Sequence, residues 1–87
     1  MTVNIMQYIA TFYSHFGALR FKKACQAAGM EAAVMPVPRE LSSSCGSCVK
    51  FDSTADYADY HDPYGEIEQI VRLQGRDYLP VYRAANA

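Results

Sequence analysis

Apolar and polar positions along this chain of 87 residues fall into short stretches separated by turn residues. Ile5 to Phe12 (IMQYIATF) is rich in β-branched and aromatic side chains and predicts a buried first strand. Ser14 then stands where an N-cap is wanted, ahead of a helical stretch from His15 to Ala28 that Gly29 closes. Within it, Ala18, Phe21, Cys25 and Ala28 recur at intervals of three and four and form one apolar stripe. Phe16 and Leu19 fall off that stripe and point to a second contact, either a loop or another subunit. Ala32 to Val37 (AAVMPV) predicts a second strand, and Cys48 to Phe51 (CVKF) a short third. Asp52 to Asp62 is acidic and tyrosine-rich. Ile67, Ile70 and Val71 then share one side of a helical wheel, so their spacing predicts a second helix over residues 64–74, ended by Gly75. Tyr78 to Arg83 (YLPVYR) predicts a fourth strand.

The order β-α-β-β-α-β is that of the ferredoxin-like sandwich, an α+β fold with both helices on one face of a four-stranded antiparallel sheet. Its strand order, 4-1-3-2, places the second and fourth strands outside. Those are the strands that contain Pro36 and Pro80, and proline, which donates no ladder hydrogen bond, is confined to edges and strand ends. A helix crossing between the first two strands makes them parallel. The end of the first strand, the start of the first helix and the loop after the second strand then share one edge. Cys45 is therefore expected near Thr11, Ser14 and His15, with the positive end of the helix toward it.

Length allows one domain, residues 1–87, with a limited core that dimerisation would help to stabilise; seven Tyr and four Phe supply interface material. A composition 51% hydrophobic and 20% charged is that of a folded domain. The net charge is −1 and the longest basic run is Lys22-Lys23, so nucleic acid is not an expected partner. No apolar run approaches the roughly 20 residues of a membrane span, and the first residues lack a secretory pattern. A cytoplasmic protein is expected, with no membrane partner.

Three cysteines are too few and odd in number for a disulfide framework, and Cys45-Gly46-Ser47-Cys48 spaces two of them CxxC. Helix N-termini, neighbouring cations and CxxC partners each favour the reactive thiolate. For Cys45 the candidates are the start of the first helix, Arg39 or His15, and Cys48. Ser42, Ser43, Ser44 and Gly46 add hydroxyls and a pliable backbone whose N–H groups can cradle an anion. The plainer reading makes this stretch a turn with incidental thiols. Dithiol oxidoreductase chemistry fits less well, because such pairs follow a strand and open a helix. Structural zinc needs four ligands, and only Cys25, His15 and His61 remain, with Cys25 on the apolar stripe. The Asp52, Asp56, Asp59, His61, Asp62 series lacks the central glycine and terminal glutamate of an EF-hand. No metal and no cofactor are expected.

The segments Thr11-Phe12-x-Ser14-x-x-x-Ala18-Leu19 and Pro36-x-Pro38-Arg39-x-x-Ser42-Ser43-Ser44-Cys45-Gly46 resemble a small bacterial family described as selenium/sulfur carrier-like, over residues 6–83. The resemblance implies a thiol carrier rather than an enzyme with turnover of its own, holding sulfur or selenium on Cys45 as a persulfide-type adduct. A donor of the cysteine desulfurase or selenocysteine lyase type would charge Cys45, and an acceptor protein would receive the cargo. Cys48 lies outside the family motif; in this scheme it would release the cargo by closing a disulfide. The competing reading is a non-catalytic module for small-ligand binding or oligomerisation, since fold alone does not decide function.

Overall fold

Tyr8, Ala10 and Phe12 leave one side of the first strand and Ile9 and Thr11 the other, and all are buried. Such a strand must be covered on both faces, and β1 (Met6–Phe12) is the middle of the sheet. The computed structural model describes residues 4–57 and 60–85. Its other elements are α1 (His15–Ala27), β2 (Ala32–Pro36), β3 (Ser47–Ser53), β4 (Ile67–Gln74) and β5 (Asp77–Arg83). The sheet runs β2-β3-β1-β4-β5, every neighbouring pair antiparallel. No described helix is long and apolar enough to cross a membrane.

The first helix forms where its signals place it. Ser14 is extended (φ −144°, ψ 156°) and its hydroxyl accepts from the Gly17 amide at 3.1 Å. At the other end Gly29, at φ +82°, lets its amide reach the Gln26 carbonyl and that of Met30 the Cys25 carbonyl. This paired closure needs a left-handed residue, which glycine supplies without strain. Ser14→Ala is expected to lower stability by about 1 kcal/mol, read as an earlier urea midpoint at unchanged slope; an unmoved midpoint would show that the cap contributes nothing.

The expected second helix does not form, and the sheet has five strands in place of four. Residues 67–74 are β4, joined to β5 by a two-residue turn whose first position, Gly75, has φ +63°. A hairpin turn of type II′ calls for glycine there. The strand predicted as fourth is therefore fifth and outermost, and β4 takes its place beside β1. The β1-β3-β2 half follows the expected order, and both prolines lie in edge strands.

The helical spacing of Ile67 and Ile70 has a specific origin. In a regular strand, residues three apart face opposite sides. Here Thr11 pairs with Gln69 but Phe12 with Ile67, so Glu68 is an extra residue in a bulge. The bulge reverses the alternation and sends both isoleucines into the core beneath α1, while Val71 goes to the opposite face.

A single helix cannot cover five strands. The seat of the missing helix is filled from the acidic, tyrosine-rich segment. Tyr57 packs edge-on to Tyr8 and Phe51, Tyr60 continues from it, and Tyr82 of β5 ends the series. Tyr8 is tied to the same segment by its hydroxyl, which donates to the Ala55 carbonyl at 2.8 Å. Asp62 accepts from the Tyr64 and Ile67 amides, fixing the entry to β4. Asp59 lies outside the described residues.

Candidate functional site

The opposite sheet face carries Ile9, Cys48 and Val71, covered by Val37, Leu41 and neighbouring apolar side chains. The β2–β3 connection therefore crosses beneath the sheet before it climbs to the edge where β1 ends and α1 begins. There its serines are used one by one. The Ser43 hydroxyl donates to the Phe12 carbonyl at 3.1 Å and accepts from the Cys45 amide at 3.4 Å. Ser44 meets the Glu68 carboxylate through its amide (3.2 and 3.3 Å) and its hydroxyl (2.5 Å). Ser47 lies 3.2 Å from His15 Nδ1. Gly46, at φ +75°, turns its carbonyl to the Val37 amide and closes the loop.

The three thiols have different surroundings. Cys45 is half-buried, packs against the edge of the core beneath α1, and its Sγ donates to the Ser47 carbonyl at 3.3 Å. Cys48 is fully buried on the other face, and its Sγ reaches the Pro36 carbonyl at 3.6 Å. Burial pushes the Cys48 thiol up to about 11, the neighbouring Cys45 adding to the effect. Cys25 is a core residue whose thiol burial likewise raises to about 11.

The sequence carrying this loop matches, over residues 7–72, the model of the family described as "Putative Se/S carrier protein-like". The chain belongs to that family. The match runs from within β1 to within β4, so the Cys45 loop, the head of α1 and Glu68 all lie inside it and β5 lies outside. The chain is also 40% identical over 43 residues to "Uncharacterized protein YtiA" of Escherichia coli (strain K12), a stretch covering 49% of this chain and 51% of that protein. The chain thus spans about half the length of the curated relative it matches. No solved structure is significantly similar to it.

Within this Se/S carrier-like domain, the edge expected to gather the site does gather most of it. Ser43 is joined to Phe12 at the end of β1, and Ser47 to His15 at the head of α1, so Cys45 sits between residues tied to both. Ser14 stands at the same edge, with its hydroxyl engaged in the helix cap. Thr11 is not brought to Cys45: it points to the opposite face between Cys48 and Gln69, fully buried, its hydroxyl without a hydrogen-bond partner among the described residues. Arg39 is exposed and makes no ion pair among the described residues. Ser42 is exposed and borders a polar groove with Gln69 and Arg83. The charged group hydrogen-bonded to the loop is thus an acid. Glu68 escaped the sequence reading because a helical β4 would have carried it elsewhere; the Gly75 hairpin signal was the clue that places it.

Proposed function

We propose that this chain carries sulfur or selenium on Cys45 as a persulfide-type adduct, within the family to which it belongs. The observation that carries the reading is that Cys45 alone of the three cysteines is reachable from solvent, on a loop fastened at both sides of the thiol. The Cys45 thiol first loses its proton to solvent. Its sulfur then attacks the terminal sulfur or selenium of a donor's persulfide or selenopersulfide. The new bond to Cys45 forms as the donor's bond breaks, and the electron pair leaves on the donor thiolate. Delivery repeats the exchange with an acceptor thiol and regenerates Cys45. A donor of the cysteine desulfurase or selenocysteine lyase type has the required chemistry, and a reducing compartment such as the cytoplasm keeps the thiol free.

Release through Cys48 draws no support from its position, since a buried and protonated sulfur is a poor nucleophile. The proposal therefore assigns release to the acceptor. After incubation with a persulfide donor, the intact mass of the chain is expected to rise by about 32 units for sulfur, or about 79 for selenium, and to return on reduction. Cys45→Ser is expected to gain nothing and Cys48→Ala to load normally. Equal loading of Cys45→Ser would overturn the proposal.

A further inference from the structure

Glu68 owes its position to the bulge. As the extra residue of β4 it is freed from strict alternation, while its backbone carbonyl accepts from the Ala84 amide at 2.9 Å and holds it in place. From there its carboxylate receives both the amide and the hydroxyl of Ser44, the residue before Cys45. An amide that could have faced an anionic cargo is already occupied by the protein's own anion. On the other side of the thiol, the Cys45 Sγ donates to the Ser47 carbonyl. The loop is thus closed over a half-covered sulfur by contacts of which the Ser44–Glu68 set holds the charge.

We propose that Glu68 is a positioning residue for Cys45, latching the loop through Ser44 so that the sulfur stays half-covered until that contact is released. The inference deepens the carrier reading and rests on it for its biological sense: a latched loop shields a reactive adduct between donor and acceptor. A partner that displaces the carboxylate from Ser44 uncovers the sulfur. Hydrogen bonds to a charged acceptor are among the stronger ones, and a half-covered thiol labels faster as the loop beside it opens more often.

The test is the rate of iodoacetamide labelling at each cysteine of the native chain. Glu68→Ala is expected to label Cys45 several-fold faster, as the contacts to both the Ser44 amide and hydroxyl are lost and the loop opens more often. Glu68→Gln, which keeps an acceptor but not the charge, falls between this and the wild type. Ser44→Ala speeds labelling as well, and the double variant is no faster than Glu68→Ala alone, because the Ser44 hydroxyl then has no partner to lose. Cys25 and Cys48 stay protected throughout and report on the fold as a whole. An unchanged Cys45 rate in Glu68→Ala, acceleration of all three cysteines together, or effects of the two variants that multiply would each overturn the proposal. A wild-type chain that takes up no sulfur would instead count against the carrier reading, leaving the labelling result to decide the latch.

Discussion

Native chain treated with iodoacetamide at mildly alkaline pH is expected to take a single label, at Cys45. Cys25 and Cys48 are 2% and 0% exposed, and burial pushes both thiols up to about 11. At pH 8 such a group is a thiolate in about one molecule in a thousand, before the barrier of reaching it is counted. Unfolding in urea should expose all three cysteines at similar rates. Labelling of Cys48 in the folded chain as fast as Cys45 would show that the sheet face beneath the loop is open. The same shifts set a pH dependence of stability. The fold favours the protonated thiols, whereas in the unfolded chain they ionise near their ordinary 9.0. Their contribution is therefore full below about pH 9 and is lost as the pH rises toward 11. Tyr60, raised to about 12 chiefly by burial, shifts stability in the same direction at still higher pH. Urea midpoints measured from neutral to alkaline pH should fall over that range; a rise would contradict the burial of these groups.

Phe51→Ala should remove a large part of the stability of this small domain. The ring lies 5.0 Å from Phe21, 5.4 Å from Tyr8 and 5.5 Å from Tyr57, and so joins α1, β1 and the segment that covers the rest of the sheet. Truncating a buried phenylalanine costs about 3–5 kcal/mol, against a total of about 5–15 kcal/mol for a typical domain. The urea midpoint is the measurement, with Phe16→Ala as control. Phe16 is 64% exposed, and a surface change of that kind shifts stability by about 0.5 kcal/mol at most. Comparable losses in the two variants would refute the placement of the core.

Local signals suffice where one element decides its own fate. Ser14 and Gly29 bound the first helix by hydrogen bonds within a few residues, and Pro36 and Pro80 exclude their strands from the sheet interior. Ile67, Ile70 and Val71 misled because their spacing is set by a partner: only pairing with β1 creates the bulge that puts two of them on one face. The three β-branched residues and the following Gln74-Gly75-Arg76-Asp77 turn are hairpin signals, and Gly75 serves the hairpin rather than ending a helix. At the site, the meeting of the serine-cysteine loop with the head of α1 followed from the crossover between β1 and β2. That Thr11 and Cys48 share the face away from Cys45 depended on strand register, and the Ser44–Glu68 contact on the bulge. Neither is written in residue spacing.

As a supernumerary residue, Glu68 reaches Ser44 without taking a place in the packed interior. Excising it would leave Ile67 two residues from Ile70 on a regular ladder with β1, still facing the aromatic interior. The same deletion would strip Ser44 of its acceptor. How the protein packs and how tightly it guards its sulfur are thus separable at one inserted amino acid, so either property can drift without the other.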